Sequence, residues 1–278
     1  MRIGFFRKGV SDTDAPFALW GVFLVFCWFP SSVYPAPVGG CAADAATERV
    51  RVGHVYDGDT VKLTDGRRLR FIGINTPEIG HNGQPDQVLA LQARAALQEI
   101  LHTHNQILFL QYGEESQDHY GRLLAHAYLE DGTDVAVRLL EQGLATTLVV
   151  PPNTRVQECY QHHEDEAREA ARGLWALPDY QPVDNRTLHP DSRGFRIVRG
   201  RVTDIRQSRY SIWLDLDGPV TLHVNRKDLV NFQNGFPAST LHRTVVVRGW
   251  ITANKNRLRI KVRHPAALQA EANAIPGK

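Results

Sequence analysis

Val55-Tyr56-Asp57-Gly58-Asp59-Thr60 is followed by Arg70-Phe71-Ile72-Gly73-Ile74-Asn75-Thr76-Pro77-Glu78, and the reading of these two stretches decides the fold. Val50, Val52 and Val55, then Val61 and Leu63, then Leu69, Phe71, Ile72 and Ile74 form short apolar runs with strand spacing. Asp65-Gly66 between two of them is a hairpin turn. Working outward, Gln87 to Leu101 changes to helical spacing, and Ile107–Gln111 and Leu123–Leu129 return to strands. Asp134 caps a second helix that Gly143 ends, and Ala145–Val150 is extended. A third helix spans Arg155 to Ala171 and stops at Gly173-Leu174-Trp175. These elements predict a small β-barrel carrying three helices on its outside, over residues 47–177.

The prolines of 178–190 oppose regular structure and predict a linker. Residues 191–266 again carry five strand patterns, with a hairpin turn at Asp217-Gly218, and a tail occupies 267–278. The expected fold is mainly β, of the α+β class: an OB-fold barrel with three helices, then a second small OB-like barrel. Tyr210, Trp213 and Trp250 of that second unit offer stacking faces or core packing. Core packing is the preferred reading for the two tryptophans, which sit inside apolar strand patterns.

The net charge of +2 conceals an asymmetry. Residues 1–189 hold 16 Lys/Arg and 24 Asp/Glu, whereas residues 190–264 hold 15 and 5. A small unit so basic is the electrostatic footprint of a polyanion-binding surface, though a solvated basic face gives the same count. Residues 1–46 read as a targeting segment. Arg2, Arg7 and Lys8 precede an apolar run of 13 residues, Phe17–Phe29, too short for a membrane span. Export is therefore expected, to the periplasm or medium or on a membrane anchor. Val38-Gly39-Gly40-Cys41 also resembles a lipoprotein cleavage box. Cys41 and Cys159 can pair in an oxidising compartment, but free or single structural thiols are the preferred reading.

The chemistry lies in the opening stretches and in Asp118-His119-Tyr120-Gly121-Arg122. Asp59 read alone is turn chemistry. In a short meander, however, its carboxylate can meet the Asn75 amide oxygen and the Thr76 main-chain carbonyl, with water completing the shell that calcium prefers. Glu78 then stands where a general base is needed. Arg70 is the odd charge of an apolar strand and must meet a carboxylate or a phosphate. Arg122 suits bidentate phosphate contact, or else an ion pair with Asp118. Hard oxygen ligands, a carboxylate base and two guanidiniums are what phosphodiester cleavage asks for.

At these residues, and at Gln142-Gly143-Leu144-Ala145 and Gly173-Leu174-Trp175, the chain resembles the staphylococcal nuclease (thermonuclease) family over residues 49–177. The resemblance implies a calcium-dependent hydrolase of DNA and RNA, with one ion held by Asp59, Asn75 and Thr76. It implies Glu78 as base, Arg70 and Arg122 as stabilisers of the pentacovalent phosphate, Tyr120 in the nucleotide pocket and Asp57 supporting the metal ligands. Two positions depart from the family pattern. Asn75 stands where an aspartate is usual, and Leu148-Val149-Val150 replaces aromatic residues set against the base. DNA or RNA is the expected partner, no protein partner is implied, and a monomer is expected. The rival readings are a non-catalytic nucleic-acid-binding protein on the same scaffold, favoured only by Asn75, and an envelope module, which leaves the buried charges without purpose.

Overall fold

A computed structural model describes residues 41–43, 48–80, 83–233, 235–254 and 257–271. Most of the 1–46 targeting segment therefore lies outside the described residues. Strands β1 (Glu48–Val55), β2 (Thr60–Leu63) and β3 (Arg68–Phe71) form an antiparallel meander, followed by β4 (Gly73–Asn75) and helix α1 (Ala90–Thr103). Then come β5 (Ile107–Gln117), β6 (Leu123–Tyr128), α2 (Val135–Glu141), β7 (Thr146–Leu148) and α3 (Gln157–Glu169). The order β1-β2-β3-β6-β5 closes into a barrel, with β3 and β6 parallel. Its core is the inward half of each alternating strand, Val61, Leu69, Leu108 and Leu110 among them, sealed by Leu97 and Leu101 of α1 and Leu139 and Leu140 of α2.

Local chemistry explains the helix ends. Asp134 accepts the Ala136 N–H at 2.8 Å and so satisfies one of the donors left free at the start of α2. Gly143 follows that helix at φ +67°, where a side chain would collide with the Arg172 carbonyl. The two glycine motifs thus hold the ends of α2 and α3 against each other. Helix α1 begins at Ala90 rather than Gln87 because Leu89 adopts a left-handed conformation.

The segment expected as a linker is tied into the second unit. Pro178–Tyr180 and Asn185–Thr187 form tight helical turns, and β8 (Pro182–Asp184) pairs in parallel with β9 (Gly194–Gln207). Strands β9, β10 (Ser211–Leu216), β11 (Val220–Asn225), β12 (Thr244–Asn254) and β13 (Arg257–Lys261) follow, with β14 (Leu268–Ala270) on the edge of β12. The order β9-β10-β11-β13-β12 closes through β12–β9 pairing, and β11 and β13 are parallel. In both barrels the third and fifth strands run parallel and the fourth returns beside the first. The second barrel repeats the connectivity of the first.

Trp213 and Trp250 are not core residues, contrary to expectation. Ile212 and Leu214 are buried, so alternation turns Trp213 outward onto His223, with ring centroids 5.8 Å apart. Trp250 is 38% exposed beside the inward Ile251. The barrels meet through Trp175, Ile197 and Ala167, with Phe195, Tyr180 and Val246 around them. Glu164 of α3 lies beside them, buried, and binds Arg248 of β12, Arg168 and the Thr147 N–H.

Cys41 is disulfide-bonded to Cys159 of α3, which overturns the free-thiol expectation. The Cα–Cα separation of 5.6 Å across 118 residues of sequence is a tertiary fact that cysteine spacing does not carry. A sulfur in that bond is not available for the thioether of a lipoprotein. Among the described residues, no helix is long and apolar enough to cross a membrane.

Candidate active site

The turn Asp57-Gly58-Asp59 joins β1 to β2, and Asn75-Thr76 ends β4. Gly58 permits their approach, since a Cβ there would lie 2.7 Å from Thr76 Cγ2 and 2.9 Å from Ala93 Cβ. The Asp57 carboxylate accepts the Asp59 N–H at 3.0 Å, and the Asp59 carboxylate accepts the Thr76 N–H at 2.8 Å. Asp59 also takes the Thr60 hydroxyl at 3.0 Å and an ion pair with Arg70 at 3.1 Å. Arg70, the odd charge of β3, is thus satisfied by a carboxylate. Its guanidinium further donates to the carbonyls of Phe71 and Ile74 and to Asn75 Oδ1 at 3.3 Å.

Glu78 follows the turn. Its N–H donates to Gln87 Oε1 at 3.1 Å and its carbonyl accepts the Gln87 N–H at 3.0 Å, which clamps the main chain at the approach to α1. The Asp57 carboxyl is pushed up to about 7, first by burial, then by the charge of Asp59, with Glu78 adding to it. Glu78 is exposed, and its charge is felt at Asp57. Asp57 and Asp59 thus stand together, and Asp59 meets the cation of Arg70.

Asn75 is the exception. Its Nδ2 donates to the Thr76 carbonyl at 3.2 Å, while its oxygen faces Arg70. The amide nitrogen thus lies against the oxygen that sequence reasoning offers to a metal. Thr76 Oγ1 is buried with no hydrogen-bond partner among the described residues. The remaining donors are oxygens only, in an excess of negative charge, and such a set fits a hard divalent cation.

Arg122 leaves the turn after β5. Asp118 grips it twice, accepting the Arg122 N–H at 2.9 Å and Nε–H at 2.7 Å. Burial acts to raise the Asp118 carboxyl, but these bonds and the Arg122 charge hold it below the usual carboxylate value. The ion pair weighed in the sequence is therefore present. It leaves the two Nη groups of Arg122 without a protein acceptor among the described residues. Arg70 and Arg122 line one cavity of about 410 Å³ with Glu115, Asp118, His119, Leu148, Val150 and Arg263. Tyr120 is 64% exposed and stands at the rim, its ring 5.5 Å from the Arg122 guanidinium. Its neighbour His119 lines the wall instead, and no sequence signal separated the two.

The structure thus joins Asp57, Asp59, Asn75, Thr76 and Arg70 by direct contact, and joins Arg70 to Arg122 across the cavity; Glu78 is tied through its main chain to Gln87. Arg263, from the second barrel, was not foreseen. Residues 68–177 match the family model described as Staphylococcal nuclease homologue, a range that holds every one of these groups except Asp57, Asp59 and Arg263. A thermonuclease of Staphylococcus intermedius is 32% identical over 142 residues, which cover 50% of this chain and 83% of that protein. A second, from Staphylococcus hyicus, is 30% identical over 138 residues, or 79% of its length. The chain belongs to the staphylococcal nuclease family. This staphylococcal nuclease homologue is an enzyme of the hydrolase class, a nuclease. It also resembles the SPbeta prophage-derived endonuclease YokF of Bacillus subtilis, at 31% identity over 135 residues, 47% of this chain and 45% of that protein. The second barrel lies outside the matched range of the family model.

Proposed function

We propose that the chain is an exported, calcium-dependent nuclease that hydrolyses phosphodiester bonds of DNA, RNA or both with little sequence specificity. The observation that carries this reading is the meeting of Arg70 with both the acidic cluster and the Arg122 cavity. Asp59, the Thr76 carbonyl and a rotated Asn75 would hold the cation, with Asp57 fixing the turn through the Asp59 N–H. A hard cation in that place supplies positive charge to the phosphate under attack. Glu78 takes the proton from the attacking water. Arg70 and the Nη groups of Arg122 bind the phosphate oxygens and stabilise the added charge of the pentacovalent state. Asp118 holds the Arg122 fork in place, which limits the side-chain entropy lost on binding. Tyr120 flanks the nucleotide at the rim.

Contacts to phosphate position a strand without reading it, hence the low specificity. The Cys41–Cys159 disulfide supports an oxidising destination. Incubating the full chain with end-labelled single-stranded DNA and RNA, in calcium or in chelator, tests the reading. Calcium-dependent release of fragments with 5′-hydroxyl and 3′-phosphate ends is expected. Undiminished cleavage in chelator overturns the metal assignment, and tight binding without cleavage favours the non-catalytic reading.

A further inference from the structure

The outer face of the second barrel carries a row of side chains that the catalytic proposal does not use. Strand register places Arg206 of β9 beside Trp213 of β10, Trp213 beside His223 of β11, and His223 beside Lys261 of β13. All four point outward, because their neighbours Ile212, Leu214, Leu222, Val224, Ile260 and Val262 fill the core. Trp213 and His223 lie nearly parallel, with planes 29° apart, and the Arg206 guanidinium stands 6.0 Å from the indole.

This row runs into the cavity already described. Lys261 and Arg263 share the wall of a groove of about 240 Å³ with Trp250, Leu148 and Val150. Leu148, Val150 and Arg263 also line the cavity of Arg70 and Arg122. Arg263 is therefore common to both. Among the described residues its guanidinium meets the Pro151 carbonyl at 3.3 Å and, at 3.8 Å, the Asp228 carboxylate, and its Nε is buried without a hydrogen-bond partner there.

We propose that a single-stranded polynucleotide leaving the phosphate cavity passes Arg263 and Lys261 and stacks its bases on the Trp213–His223 face of the second barrel. The proposal rests on the nuclease reading and adds strandedness and length to it. Cations meet the backbone along the row, and aromatic planes meet the bases, the combination by which single strands are held without sequence readout. Paired bases present no free face to Trp213, so a duplex gains only the charge contacts. The row also supplies what Leu148-Val149-Val150 lacks, since those aliphatic residues offer no aromatic plane beside the cavity. The basic count of residues 190–264 matches a polyanion as the occupant.

The test compares the full chain with its Trp213→Ala, Trp213→Phe and Lys261→Gln variants. Each is given a dinucleotide, which fills the phosphate cavity alone, and single strands of about 20 nucleotides, in DNA and RNA arms. Binding is read by fluorescence anisotropy in chelator and turnover in calcium. Trp213→Ala is expected to lower the preference for the long strand over the dinucleotide by about tenfold or more, the order of one lost base–aromatic stack. Trp213→Phe restores most of it, and Lys261→Gln flattens the salt dependence. An unchanged preference, or an equal fall for the dinucleotide and the long strand, overturns the track. Long-strand binding that depends on Trp213 but is followed by no cleavage in calcium upholds the track and overturns the nuclease reading instead.

Discussion

The side-chain nitrogen of Asn75 lies 3.2 Å from the main-chain oxygen of Thr76, and its side-chain oxygen faces Arg70 at 3.3 Å. An aspartate at this position would offer oxygen on both sides. For Asn75 to ligate a cation together with Thr76, its amide must rotate and break both contacts. On the proposed ligand set, a cation would bind against an existing hydrogen-bonded arrangement, with one formal charge fewer than an aspartate would supply.

The substitution Asn75→Asp removes both obstacles. Calcium affinity, measured by isothermal titration, is expected to rise about tenfold or more, since an added half-buried charge and a freed carbonyl each contribute on the order of 1 kcal/mol. The calcium concentration for half-maximal cleavage should fall in step. Unchanged affinity would show that Asn75 is not a ligand.

The two barrels are coupled through Glu164. Its carboxylate is buried and held below the ordinary carboxylate value, because the charges and hydrogen bonds of Arg248, Thr147 and Arg168 outweigh the effect of burial. Removing one partner of a buried pair leaves the other charge uncompensated, so Glu164→Leu should destabilise the protein by roughly 3–5 kcal/mol. The double variant Glu164→Leu with Arg248→Met should recover most of that in denaturant unfolding. A double variant as unstable as the single would show that the loss comes from the Thr147 N–H instead.

Acid stability depends on a second buried network. The Tyr160 hydroxyl donates to Asp134 at 2.7 Å and lies 3.1 Å from His126 Nδ1. Burial first, then the charge of Arg155, depresses His126 to about 3, so on acidification below about 6.5 the unfolded chain takes a proton that the native state refuses. Burial pushes Asp134 up to about 7, so over most of the same window the native state holds a proton that the unfolded chain releases. The two effects oppose each other between about pH 4 and 6.5. Asp134→Asn keeps the helix cap and leaves only the histidine effect. Stability should then fall on acidification across that window by up to about 1.4 kcal/mol per pH unit. Urea midpoints at a series of pH values check this, and a flat profile for the Asp134→Asn variant would refute the histidine assignment.

Much of the first barrel was legible in the sequence because its signals are local. Alternating apolar residues, the Asp65-Gly66 turn, the Asp134 cap and Gly143 all act within a few positions of themselves. The need of Arg70 for a carboxylate was also readable, since an unpaired charge in an apolar strand is too costly. What stayed hidden depends on contacts distant in sequence. The pairing of β8 with β9, the Cys41–Cys159 bond and the place of Arg263 beside Arg122 are set by how elements pack. Trp213 and Trp250 misled because an apolar pattern does not say which face of a strand is inward. The orientation of the Asn75 amide is decided by Arg70 and Thr76 together, which residue type alone cannot express.

In the proposed function Glu78 deprotonates the attacking water in a site whose substrate grip comes from other residues. Single-turnover cleavage by Glu78→Gln at saturating calcium and single-stranded DNA tests it most directly, with strand binding measured on the same protein. The expected outcome is a rate of bond cleavage lowered by about 10²–10⁴-fold with binding nearly unchanged. A variant that cleaves at the wild-type rate would contradict it.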